Sequence, residues 1–112
     1  MPEIAYQDFE KVDIRVGKIV KVEDFPRARK PAFKVWVDFG ELGVKKSSAQ
    51  ATRLYAREEL LGRLVLAVVN FPPRQVADFM SEILILGVPG DSPDEVVLVQ
   101  PDRAVPLGGR LF

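Results

Sequence analysis

The stretch Leu64–Gly87, LVLAVVNFPPRQVADFMSEILILG, constrains the fold more than any other part of this chain. Two apolar runs, Leu64–Val69 and Ile83–Leu86, flank an insert carrying Asn70, Arg74, Ser81 and Glu82. The runs are short, rich in Val and Ile, and bounded by Gly and Pro. Periodicity alone does not separate strand from helix in runs this short, but the composition fits buried strands better. Pro72-Pro73 follows directly, and strand pairing must stop there because proline has no N–H to give a ladder. The sequence leaves the isomer of that bond open. Polar side chains delivered at strand ends by an apolar scaffold are a common way to build a binding site.

The remaining segments also read as short strands. Ile14–Val22 alternates and then slips: Ile14 and Val16 share a face, Ile19 breaks the phase, and Val20 and Val22 resume it. Gly17 lies at the slip, which places an expected bulge there. A long bulged strand can serve both halves of a small barrel. Phe33, Val35, Val37 and Phe39 form one apolar face, alternating with Lys34, Trp36 and Asp38. Gly40–Gly43 is then a hairpin turn, and Val44–Ala51 the returning strand. Thr52 is expected to cap a short helical or turn segment that buries Leu54, Tyr55, Leu60 and Leu61 and stops at Gly62. Gly87–Glu95 reads as a loop and Val96–Val99 as the last strand. One small helix between the third and fourth of five strands is the order of an all-β OB-fold, a Greek-key barrel.

At 112 residues the chain has the length of one domain, 1–112. It contains no cysteine and no histidine, which excludes disulfides, thiol catalysis and histidine acid–base chemistry. No catalytic triad, metal cluster or phosphate loop is present, so neither a metal nor a cofactor is expected and the chain does not read as an enzyme. Glu82 and Arg74 read as an ion pair holding the loop, and Glu58-Glu59 as a solvated helix face. The N-terminus lacks the apolar core of a signal peptide, and no apolar run approaches the ~20 residues of a membrane span. A cytoplasmic protein without membrane insertion is expected.

Net charge is zero, but the charge is segregated. Between Phe25 and Arg57 eight positive residues face only Asp38 and Glu41, a net +6, and both flanks are acidic. The basic middle is either one positive face on a neutral molecule or a solvated mixed surface. A nucleic-acid-binding OB-fold needs a positive groove and exposed planar groups. Lys34, Lys45, Lys46 and Arg53 can supply charge, and Arg74 can reach a phosphate or stack on a base. Ser48, Gln50, Asn70 and Ser81 offer hydrogen-bonding edges, unless Asn70 and Ser81 satisfy backbone groups near Pro72-Pro73. Peptide binding needs apolar pockets, for which Phe25, Trp36, Phe71, Phe79 and Met80 are the candidates. Trp36 sits opposite the apolar face of its strand, in a groove, in a core or at an interface.

AVVNFPPR followed by SEILILG resembles the AVVNFPPR…SEVLVLG pattern of the CsaA family, part of the tRNA-binding-domain superfamily. Its members include the C-terminal domain of many bacterial methionyl-tRNA synthetases. FEKVDIRVGKIV at Phe9–Val20, VDFG at Val37–Gly40, KSSAQ at Lys46–Gln50 and VLVQPD at Val97–Asp102 extend the resemblance over nearly the whole chain. The resemblance implies an OB-fold and a chaperone linked to preprotein export, with hydrophobic pockets for unfolded polypeptides. It also implies a tRNA-binding groove at Asn70, Arg74 and Ser81. Ser48 and Gln50 lie where the synthetase-type pattern has a different sequence. CsaA-like proteins form homodimers through segments near both termini, so Phe9, Val105, Leu107, Leu111 and Phe112 are the implied interface. In a monomer these residues would cover the open ends of the barrel. A free-standing tRNA-binding module assisting an aminoacyl-tRNA synthetase is the alternative function.

Overall fold

The computed structural model describes residues 1–112. A short helix α1 (Tyr6–Glu10) precedes β1 (Ile14–Asp24), β2 (Phe33–Asp38), a 3-10 turn (Gly40–Leu42) and β3 (Val44–Ala49). Then come helix α2 (Arg57–Leu60), β4 (Leu64–Val68), β5 (Arg74–Val76), β6 (Phe79–Ser81), β7 (Leu84–Ile85), β8 (Gly87–Pro89) and β9 (Val96–Leu98). Five strands form one antiparallel sheet in the order β3-β2-β1-β4-β7, and β5-β6 and β8-β9 are two-stranded ribbons. The architecture is the expected OB-type barrel, with α2 between the third and fourth strands. No helix is long and apolar enough to cross a membrane.

The long first strand carries the barrel. Its first half, Ile14–Lys18, pairs with β4, and its second half, Lys18–Asp24, pairs with β2. The bulge that lets it turn between the two lies at Val20, between Ile19 and Lys21, and not at Gly17. Gly17 has a different task. A Cβ there would lie 2.4 Å from Val37 Cγ1 and 2.7 Å from Phe39 Cε1. Two walls of the barrel therefore meet across a missing side chain, and Phe39 fills the space it leaves.

The core is built as the alternation on β2 requires. Phe33, Val35, Val37 and Phe39 point inward with Ile19 of β1, Val65 and Ala67 of β4, and Ile83. Leu60 of α2 joins them. Thr52 does not cap this helix. Ala56 precedes it and donates its N–H to the Glu59 carboxylate at 2.9 Å, so Glu59 is a capping group as well as a solvated one. A single turn can bury only one side chain deeply, which leaves Leu54 and Leu61 exposed. Two further expectations change. The insert after Pro72-Pro73 contains the β5-β6 hairpin, since pairing resumes once the prolines are past, and Gly87–Pro89 is a strand paired with β9 instead of a loop.

The C-terminal tail lies along the edge of β1 that β2 leaves uncovered. Gly108 and Leu111 donate to the carbonyls of Val16 and Ile14, each at 2.8 Å, and Val16 donates to Gly109 at 3.0 Å. Gly108 has φ +87°, and a Cβ there would stand 2.5 Å from the Phe39 carbonyl, so the tail can approach only as glycine.

The barrel has no ladder between β3 and β7. It closes through the Glu82 N–H on the Lys46 carbonyl at 2.8 Å and the Ser47 hydroxyl on the Ile83 carbonyl at 3.1 Å. The Ser81 hydroxyl donates to Ser47 Oγ at 3.2 Å and accepts the Ser48 N–H at 3.3 Å. Ser47 is fully buried in a core otherwise apolar, and its hydroxyl is tolerated because it is bonded on this seam. Gly17→Ala is expected to cost about 1–3 kcal/mol by overpacking and to lower the thermal midpoint; an unchanged midpoint would show that Val37 and Phe39 move aside freely.

Candidate functional site

Where the seam stops closing, the surface opens into a groove of about 890 Å³. One wall is Ser48–Ala51 and Ser81–Ile85; the other comes from Phe71, Pro72 and Val76 before and within the hairpin, and from Val88, Pro89, Pro93 and Val96 of the β8-β9 ribbon. Its charged lining is Arg74 against Glu82 and Glu95. Arg74 and Glu82 do not form the expected ion pair: Glu82 Oε1 accepts the Lys46 N–H at 3.0 Å and so belongs to the seam. Arg74 has no carboxylate within salt-bridge distance and stays exposed in the groove.

The basic side chains lie elsewhere, on the outer surface of β1, β2 and β3. The register places Lys21, Trp36 and Lys46 in one row across the three strands. The β5-β6 hairpin folds over this surface and drops Phe79 onto it. Phe79 meets Trp36 at 5.9 Å and Phe25 at 5.5 Å, both edge to face, a favoured geometry for aromatic pairs. Ammonium groups then sit over the rings: Lys21 over Trp36 at 4.6 Å, Lys34 over Phe25 at 5.0 Å, and Lys46 over Phe79 at 5.1 Å.

This arrangement divides the aromatic candidates. Phe25 and Phe79 are only 4% and 7% exposed and form a second core with Ala32, so neither is an open peptide pocket. Trp36 is half-buried against that cluster. Phe71 is exposed and lines the groove, whereas Met80 is exposed but lies outside it. Pairing of Met80 with Gln75 explains the difference, because alternation on β6 turns Phe79 and Ser81 inward and Met80 outward.

The polar candidates divide too. Ser48, Gln50, Arg74 and Ser81 line the groove; Lys34, Lys46, Arg53 and Asn70 do not. Arg53 pairs with Asp94 at 2.9 Å. Asn70 accepts the Asp13 N–H at 3.0 Å and donates to the Lys11 carbonyl at 2.7 Å, tying the end of β4 to the segment before β1. It satisfies backbone groups, though not those near Pro72-Pro73. Beside it Arg15 bonds Asp13 at 2.6 Å, and Arg110 lies 3.6 Å away. The hydrogen bonds from Arg15 hold the Asp13 carboxyl below the ordinary 3.8, against a smaller upward push from burial. Of the terminal residues, Val105, Leu111 and Phe112 are exposed, while Phe9 and Leu107 are partly covered. The ribbon residues Val88, Pro89 and Glu95 are groove residues that the sequence did not mark, because Gly and Pro made their segment read as a loop.

The family described as "Putative tRNA binding domain" matches residues 14–110. The chain belongs to this tRNA-binding-domain family. Within it, the structure is similar to the crystal structure of chaperone CsaA from Bacillus anthracis, with TM-score 0.93 and 44% identity over 99% of this chain and 100% of that one. CsaA of Picrophilus torridus gives TM-score 0.90 and 47% identity over 98% and 100% of the two chains. Methionine–tRNA ligase of Thermococcus onnurineus is 36% identical over 96% of this chain, but the chain spans only 14% of that enzyme's length. A protein described as related to that ligase, from Pyrococcus horikoshii, matches with TM-score 0.86 and 26% identity over 100% of both chains.

Two outcomes check this layout. Phe79→Ala is expected to destabilise by about 3–5 kcal/mol, read by denaturant unfolding; a loss under about 1 kcal/mol would mean that Phe79 is a surface residue after all. Asp13 has a depressed pKa in the folded state, so its stabilising contribution is present above pH 3.8 and is lost as pH falls through the folded value. Asp13→Asn should therefore lower stability at neutral pH and flatten the acid limb of the stability–pH curve. An acid limb identical to that of the native protein would dismiss the Asp13–Arg15 link.

Proposed function

We propose that this chain is a non-catalytic, CsaA-like chaperone that holds unfolded or export-bound polypeptides in the seam groove. The observation that carries this reading is the lining: apolar walls from Phe71, Pro72, Val88 and Pro89, and two carboxylates against one arginine. Such a lining favours apolar segments and repels a polyanion. The similarity to two CsaA chaperones over their full length supports the same reading. The protein acts as one cytoplasmic domain and as a homodimer. Exposed Ile4, Tyr6, Leu111 and Phe112 are the apolar surface available to a second copy.

Transfer RNA is the second ligand, and a tRNA-binding module is the second reading. The family match supports it, as does the lysine face on β1–β3. Ammonium groups already occupy one face of Trp36, Phe25 and Phe79, so RNA held there is held through phosphates more than through stacked bases.

Titration with an unfolded preprotein segment and with bulk tRNA, each at low and physiological salt, separates the two. A phosphate-driven mode loses affinity with a log–log slope of about −0.7 to −0.9 per phosphate contacted, while the apolar groove changes little. Phe71→Ala should weaken the polypeptide about tenfold, as for loss of an apolar anchor, with the thermal midpoint unchanged. Retention of tRNA binding alone at physiological salt would make the RNA module the primary function.

A further inference from the structure

Residues at every second position of a strand turn their backbone groups to the same edge. β3 presents Lys46 and Ser48 to the seam edge, and Gln50, one residue past its last, Ala49, is the next residue at that spacing; the three are held differently. At Lys46 the carbonyl accepts the Glu82 N–H at 2.8 Å, and the Lys46 N–H donates to the Glu82 carboxylate at 3.0 Å. At Ser48 only the N–H is taken by a residue across the seam, Ser81 Oγ, at 3.3 Å. At Gln50 neither the backbone N–H nor the carbonyl has a partner within the protein. Glu82, through its N–H and its carboxylate, and the Ser81 hydroxyl thus stand in for a missing neighbour strand over two positions, and at the third nothing does. Gln50 lies in the groove wall.

An unpaired strand edge beside apolar walls is the geometry of strand addition. We infer that the groove takes its polypeptide as an added β-strand along the Gln50 edge. This inference rests on the polypeptide-binding reading of the groove. Backbone pairing at Gln50 supplies sequence-independent affinity. Every second side chain of the segment enters the groove between Phe71 and Pro72 on one side and Val88 and Pro89 on the other, and the rest face solvent, so the preferred segment is extended, with an apolar residue at every second position. Glu82 and Glu95 outnumber Arg74, so basic flanking residues are preferred to acidic ones. An RNA strand offers no backbone N–H to the Gln50 carbonyl.

The test uses the intact protein and a synthetic peptide of alternating leucine and serine with a lysine at each end. Two variants carry N-methyl groups, one on every leucine amide and the other on every serine amide. An added strand presents only one of these sets to the edge, and slippage by two residues leaves the set unchanged. One variant should therefore bind at least about fivefold more weakly, because its methyl group removes the N–H donated to the Gln50 carbonyl and stands against that edge, while the other stays within about twofold. Hydrogen exchange at the Gln50 amide should slow in the complex with the unmethylated peptide. Equal affinity of the two variants, or unchanged exchange at Gln50, with peptide binding retained, would overturn strand addition and leave the polypeptide-binding reading standing. Failure of the unmethylated peptide to bind while bulk tRNA binds would overturn both.

Discussion

A barrel that closes without a ladder is the constraint on which the rest of this structure depends. Four of the five pairings needed to close a five-stranded barrel are β-ladders, and the fifth is a seam of individual hydrogen bonds around Ser47, Ser81 and Glu82. A hydrogen bond inside a protein stabilises by only about 1 kcal/mol net, but leaving its buried donor or acceptor unpaired costs more. The seam therefore holds where its side chains reach across and parts where they end. The groove begins at that limit, which makes the incomplete closure and the candidate site one feature.

The same hairpin that supplies Ser81 to the seam supplies Phe79 to the outer face. Alternation on β6 turns both residues inward and Met80 outward, and their separation along the strand carries Ser81 to the seam and Phe79 to the aromatic cluster. The consequence is electrostatic separation on a molecule of zero net charge. Lys21, Lys34 and Lys46 collect over the Phe25–Trp36–Phe79 cluster, while the groove keeps an acidic balance. The groove and the lysine face therefore share no side chains.

Much of the barrel was legible because its strands carry one dominant period. Phe33, Val35, Val37 and Phe39 announce a buried face, and the structure buries all four. The sequence points to a bulge at Gly17, not Val20, because both sit near the phase slip and glycine tolerates a bulge at least cost. Only the approach of Val37 and Phe39 from another strand shows that Gly17 serves packing. Within the candidate site, Ser48, Gln50, Arg74 and Ser81 were found as polar residues at strand ends. Phe25 and Phe79 read as candidates for an open pocket because an aromatic near a loop looks the same in sequence whether or not a hairpin folds over it, and here one does. Asn70 reads in sequence only as a polar residue at a strand end, and the fold alone shows that its amide group holds Lys11 and Asp13, residues remote in sequence.

The sequence by itself determined the class of fold, the inward face of β2, the family and the segregation of charge. These depend on local alternation and on residue types in order, which one chain displays in full. Tertiary structure alone decided where the barrel fails to close, which aromatics are covered, and that the lysines and the groove occupy different surfaces. Those outcomes depend on contacts such as Lys46 with Glu82 and Trp36 with Phe79, made across more than thirty residues. No local propensity encodes such a contact; it exists only once the hairpin and the β8-β9 ribbon have packed against the sheet.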